Sequence, residues 1–180
     1  MPSLPDIPDA TLESVWQEVA QLPGERVPEE MERVGRSQPD LMAFVLAATD
    51  GRRVEVREIA IYLFYVLVRI FECGTARPIP PIPDADLHRQ FKQNVALVKR
   101  SGGEQRWFEN QAAPDLARHA PVVQSLIRAL QAEAQGGEGM DEPGLRSEEV
   151  GALFFALRTV VDALQEARAA LVGEHGEGRS

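Results

Sequence analysis

Two short stretches of this chain carry the residue types of a metal site. Asp84-Ala85-Asp86-Leu87-His88 and Asp115-Leu116-Ala117-Arg118-His119 each set an aspartate four residues ahead of a histidine. Residues four apart are neighbours on a helix, so each stretch would offer one carboxylate and one imidazole from one face. Two such helices facing each other would make a four-ligand set from Asp84, His88, Asp115 and His119. A local use competes with this. Both aspartates follow a proline, where a helix start needs a capping side chain, and a carboxylate that accepts backbone N–H groups is already occupied. Capping is therefore the expected role, and neither a metal nor a cofactor is assigned. The Glu-x-x-His pattern of di-iron bundles does not occur.

Other catalytic patterns are missing. Cys73 is the sole cysteine, which excludes a disulfide within the chain and suits a reducing compartment. No histidine lies near it in sequence to activate it, so a small packed thiol is expected rather than a nucleophile. There is no Gly-x-Ser-x-Gly and no strand leading into Gly-x-Gly-x-x-Gly. The glycine-rich stretch 136–147 lacks the lysine of a phosphate-binding loop and is expected to be a flexible loop. Runs of carboxylates such as Glu29, Glu30 and Glu32 suit solvated helix faces.

The element that must position these side chains is an uninterrupted apolar run, Ile59 to Val68. The helical pattern around it runs from Val54 to Glu72, with Gly74 as the C-terminal stop, too long for a strand and too short for a membrane span. A helix apolar on most sides belongs at the centre of a bundle. One stripe differs: Glu55, Glu58, Tyr62, Tyr65, Arg69 and Glu72 follow at spacings of three and four. The expectation is that this face reaches solvent, the phenols half wet. Tyr62, Tyr65 and Arg69 are then candidates for a contact surface. Arg69 alone interrupts the apolar run with a charge, and its expected partner is Glu72 or another internal carboxylate.

Across all 180 residues the net charge is −9 and the isoelectric point about 4.9. Nucleic acid and anionic membranes need clustered Lys and Arg, so neither is an expected partner. The start of the chain has neither a basic region nor an apolar core, so no signal peptide is expected and a cytoplasmic protein is.

In order, residues 1–8 are expected to form an extended arm and 9–172 one helical domain. Leu12, Val15, Trp16, Val19 and Leu22 share one face of a first helix. Pro28 to Arg36 reads as a short polar helix, and Pro39-Asp40 opens the next, joined to the central helix by the turn Asp50-Gly51. Arg77-Pro78-Ile79-Pro80-Pro81-Ile82-Pro83 forces an extended connector. Its Arg-x-x-Pro-x-x-Pro spacing fits some SH3 ligands, but a stiff crossover with its isoleucines packed is the expectation. Asp84 caps a helix whose polar side holds Arg89, Lys92, Lys99 and Arg100, with Arg106 beyond. That is the only basic neighbourhood in an acidic chain, and it meets either solvent or an acidic patch, internal or on a partner. Trp107-Phe108 are placed in a loop or short turn. Pro114-Asp115 opens a short helix and Pro121 a longer one.

Ser147 caps the last helix, where Val150, Leu153, Leu157, Val160, Leu164, Ala167 and Leu171 form a heptad-like seam beside an alanine face. Such a helix is in contact on two sides, within the bundle or in a homodimer with Phe155 at or near the seam. Residues 173–180 are expected to be a disordered tail. Together these features predict an all-α bundle of about six main helices around the helix 54–72. The expected function is non-catalytic protein–protein interaction or regulation through helix faces, with homodimerisation as one form of it. The alternative is a small-molecule or metal-binding pocket between helices, with or without catalysis.

Overall fold

The computed structural model describes residues 6–136 and 144–173, and among them every regular element is helical. Eight α-helices follow in order: α1 Asp9–Ala20, α2 Val27–Ser37, α3 Pro39–Ala48, α4 Val54–Cys73, α5 Asp84–Ser101, α6 Glu104–Gln111, α7 Pro121–Gln135 and α8 Ser147–Gly173. Short 3₁₀ turns occupy Gly24–Arg26 and Leu116–Arg118. Among the described residues no helix is long and apolar enough to cross a membrane.

Buried side chains from α4 and α8 form the middle of one continuous apolar cluster. In α4 every residue from Leu63 to Val68 is buried, as its uniform hydrophobicity requires. It packs on α1, α2, α3, α7 and α8. The last helix is equally central. Val150, Leu153, Leu157, Val160 and Leu164 are buried on one face and Ala152, Ala156 and Ala163 beside them, and α8 touches α3, α4, α5, α6 and α7. The heptad-like seam is thus covered by the chain's own helices over most of its length. Small residues let those helices come close. A Cβ at Gly151 would lie 2.6 Å from the backbone nitrogen of Gln105, so only glycine allows α6 to cross α8 at this point.

Several boundaries differ from expectation. Trp107 and Phe108 lie on the eight-residue helix α6 rather than in a loop, with Trp107 buried against Phe154 at 5.0 Å between ring centres. Pro114-Asp115 leads into a single 3₁₀ turn, not an α-helix. Asp84 is the first helical residue of α5, Pro83 holds the cap position, and no side chain caps that end. Cys73 is exposed instead of packed. The connector holds its expected form: Ile82 is buried, Ile79 packs on the core and the prolines stay outside. Gln38 fixes it, donating to the carbonyls of Ile79 and Pro80 and accepting from the N–H of Ile82. With Ile82 committed to the core, the Ile-Pro pairs of an SH3 ligand are not presented.

Residues 6–8 are extended, and Ile7 is buried over Gly74, where a Cβ would approach its side chain to 2.8 Å. Residues 1–5 of the expected arm, 137–143 of the glycine-rich stretch and 174–180 of the tail lie outside the described residues. Leu145, just beyond the stretch, is buried and donates its N–H to the carbonyl of Glu133.

Candidate protein-interaction face

The stripe on α4 reaches solvent only in part in its middle. Glu55 and Glu58 are exposed, but Tyr65 is 1% exposed and Tyr62 is half-buried. Helices α1 and α2 lie across them. Trp16 of α1 packs its ring 6.3 Å from that of Tyr62 and donates its indole N–H to Ser125 Oγ at 2.8 Å. The Tyr65 hydroxyl points at Glu30 Oε2 of α2, 3.4 Å away. Burial and nearby carboxylates push both phenols above their ordinary value, Glu133 acting on Tyr62 and Glu30 on Tyr65.

The charged end of the stripe closes on itself. Arg69 donates to Glu72 at 2.7 Å, the expected partner, and to Glu18 of α1 at 2.8 Å. Arg33 of α2 grips the same Glu72 with two bonds, at 2.9 and 3.2 Å, and reaches Glu30 at 3.1 Å. Burial alone would raise the Glu72 carboxyl, but the hydrogen bonds from Arg33 and Arg69 outweigh it and hold it below the usual range. Burial likewise opposes the charge on Arg69, and Glu72 and Glu18 more than restore it. Two arginines and three glutamates from three helices satisfy one another here.

A second ion pair joins distant parts of the chain. Arg53, at the start of α4, donates Nε and Nη2 to the two carboxylate oxygens of Glu149 at 2.9 and 2.8 Å. Glu149 also accepts the backbone N–H of Arg146 at 2.8 Å, the carboxylate half of a capping box at the start of α8. These bonds, Arg53 first, hold its carboxyl at about 2. The pair is 96 residues apart in sequence, so nothing in the local pattern announced it. The acidic start of α8 was the sole trace of it.

The aspartate–histidine stretches do not converge. His88 is exposed and lies over Phe91, while the N–H of Asp84 is held by Asp40. The 3₁₀ turn at Leu116–Arg118 destroys the i, i+4 geometry between Asp115 and His119. His119 instead faces the Gln111 carbonyl at 3.1 Å, and burial holds its pKa below the ordinary value. Among the described residues no three His, Cys, Asp or Glu side chains gather as a metal site would need. Phe155 is not at an outer seam. It packs on Phe91 at 5.4 Å and Trp107 at 6.2 Å, between α5 and α6.

The face left open is on α5. Arg89, Lys92, Ala96, Lys99 and Arg100 are all exposed and recur at helical spacing along its outward side. Lys92 and Lys99 are the only two lysines in the whole chain. Arg89 pairs with Asp86 and Glu166, each at 2.9 Å. Among the described residues no ion pair engages Lys92, Lys99, Arg100 or Arg106. Arg106 belongs to the same cluster, because it folds over the Gly102 turn that ends α5. The left-handed φ of Gly102, 87°, makes that turn possible.

A groove of about 430 Å³ lies between α5 and α8. Gln90, Gln93 and Leu97 form one wall and Arg158, Gln165 and Ala169 part of the other. Its floor is a satisfied polar bridge. The buried Asn94 amide donates to Thr159 at 3.1 Å and to Asp162 at 3.0 Å, and Arg158 donates to Asp162 at 2.9 Å. Leu97 is 38% exposed at this edge.

The fold and this face define an all-α bundle in which Lys92, Lys99 and Arg100 of α5 make no ion pair among the described residues. No protein-family model, curated protein or solved structure matches the chain.

Proposed function

We propose that this chain is a non-catalytic interaction protein of the cytoplasm that binds an acidic protein partner through the outward face of α5. The observation that carries this reading is the open cation cluster Lys92, Lys99, Arg100 and Arg106 on a chain of net charge −9. The chain as a whole repels a negatively charged partner, while this face attracts it, so the charge distribution both steers and orients the encounter. The alternative of a ligand or metal pocket built on Tyr62, Tyr65, Arg69, His88 and His119 has less behind it, because Tyr62 packs on Trp16, Tyr65 and Arg69 are engaged by Glu30, Glu18 and Glu72, His88 lies over Phe91 and His119 faces the Gln111 carbonyl.

The test compares the intact chain with its Lys92→Glu/Lys99→Glu variant as bait in the native host. A protein recovered in near-equal amount by the intact chain, weakened about tenfold or more by the variant and by raised salt, supports the reading. Recovery unchanged by the variant, at equal fold stability, overturns it. Light scattering on the purified chain shows in the same preparation whether the partner is a second copy.

A further inference from the structure

We propose that Lys92 and Lys99 are acylation sites, and that acyl transfer to them from an acyl phosphate or an acyl thioester switches the α5 face off. This rests on the reading of α5 as the interaction face and adds its regulation.

The cations of this chain are divided by residue type. Nineteen residues are Lys or Arg, and Lys92 and Lys99 are the only lysines among them. Among the described residues every ion pair is made by an arginine. Both lysines stand outside that network, exposed and on one helix. Seven residues along a helix return a side chain to within about 20° of the same edge, about 10 Å further on.

The sequence of α5 explains why they have no partner. Its carboxylates are Asp84 and Asp86, both in the first turn. One turn from Lys92 lie His88, Arg89, Val95 and Ala96, and one turn from Lys99 lie Val95, Ala96, Gly102 and Gly103. No acid is therefore in i, i+3 or i, i+4 reach along the helix. On the helices that pack against α5, Asp40 accepts the N–H of Asp84, Asp162 is held by Asn94 and Arg158, and Glu166 by Arg89 and Gln90.

The division matters because the two side chains differ in chemistry. A guanidinium stays charged, whereas a lysine amine accepts acyl groups and loses its charge when it takes one. Acylation of side-chain amines is thus confined to α5. It removes Lys92 and Lys99 from the open cations, leaves Arg100 and Arg106, and breaks no ion pair of the fold. In the step itself the neutral lysine nitrogen attacks the acyl carbon. The C–N bond forms as the bond from that carbon to the phosphate oxygen or the thioester sulfur breaks. Phosphate or thiol leaves, and the proton lost by nitrogen passes to water. The remaining charge on Arg100 and Arg106 draws an anionic donor toward the amines.

The first measurement is peptide mass spectrometry on the full chain purified from its native host, during growth and after nutrient limitation. Acyl groups are expected on Lys92 or Lys99, and two unmodified lysines in both states overturn the proposal. The purified chain is then incubated with acetyl phosphate alone, or with acetyl-coenzyme A and host extract. Modification by the first shows that the face reacts unaided, and by the second only that a transferase is required. Modification by neither overturns the proposal. Acetylated and untreated chains are next compared as bait in the native host. Acetylation should weaken capture about threefold or more at low salt and less at high salt, as loss of two exposed charges does, with the unfolding midpoint unchanged. Lys92→Arg/Lys99→Arg, whatever its own level of capture, should show no change on the same treatment. An equal loss in that variant assigns the effect to another group and overturns the proposal. A lowered unfolding midpoint does the same, because the lysines would then belong to the fold. Capture that is sensitive to Lys92→Glu/Lys99→Glu but not to acetylation overturns the proposal and leaves the reading of α5 standing. Capture insensitive to both removes that reading as well.

Discussion

The corner where α1, α2 and α4 meet and the outward side of α5 use the same chemistry in opposite ways. In the corner, Arg33 and Arg69 lie between three carboxylates near Tyr65, and every charge has a partner. On α5, Lys92, Lys99 and Arg100 point outward from a helix whose inner face is occupied by Leu87 and Asn94. The corner ties three helices together and presents nothing for a partner to take. Lys92, Lys99 and Arg100 make no ion pair among the described residues and cost the fold little. Pairing within the chain, not the presence of charge, separates a structural contact from a free surface. This difference yields four predictions, from the largest effect on stability to the smallest.

Tyr65→Ala should remove a buried ring from the corner and destabilise the chain by about 3–5 kcal/mol, as deletion of a core aromatic does. Urea unfolding would show it. A cost below about 1 kcal/mol would mean that the stripe is exposed after all and that the corner is not closed. Gly151→Ala should also destabilise, by about 1–3 kcal/mol, although alanine is the better helix former by about 1 kcal/mol. The cause is the α6 backbone at Gln105, 2.6 Å from the new methyl. Loss of near-ultraviolet signal from Trp107 would locate the damage at α6.

The third prediction concerns acid. The Glu149 carboxyl is held at about 2 in the fold against an ordinary 4.5. A depressed carboxylate contributes stability that is present above the unfolded value and lost as pH falls through the folded one. Stability should therefore decline between about pH 4.5 and 2 more steeply in the intact chain than in Glu149→Gln. Parallel acid profiles would show that the Arg53–Glu149 pair does not form in solution. At pH 7 the variant should be the weaker protein, since it leaves Arg53 with only the exposed Glu55 nearby.

The smallest stability effect belongs to the open face. Lys92→Glu/Lys99→Glu should change unfolding free energy by no more than about 0.5 kcal/mol per site, as exposed substitutions without internal partners do. A larger loss would show that the lysines are part of the fold and would erase the contrast between the two regions.

How much of this was legible beforehand follows physical lines. The span of α4 was readable because ten consecutive apolar residues admit few solutions, and the start of α7 because proline marks a first helical turn. The extended connector was readable because proline restricts its own φ and its neighbour. The helix α6 was not. Its eight residues are mostly polar, and its two aromatics are adjacent rather than three or four apart, so no amphipathic period is visible until Phe154 supplies the surface that Trp107 covers. Tyr62 is half-buried as expected, whereas the burial of Tyr65 was not legible for a related reason: α2 supplies Glu30 and Arg33, and neither its position nor its partners leave a mark on α4. The partnership of Arg69 with Glu72 was within reach, being one helical turn away, whereas Glu18 and Arg33 were not.

By itself the sequence determined that the regular elements among the described residues are helical, where most helices begin, and that the chain is acidic. Those properties are local or additive, set by periodicity, proline and composition. Tertiary structure decided which charges are consumed and which are left over. Arg53 finds Glu149, Arg33 finds Glu72 and Arg89 finds Glu166, while Lys92 and Lys99 find no ion-pair partner among the described residues. An ion pair depends on two side chains meeting within a few ångströms, and for residues tens of positions apart only the packing of helices sets that distance.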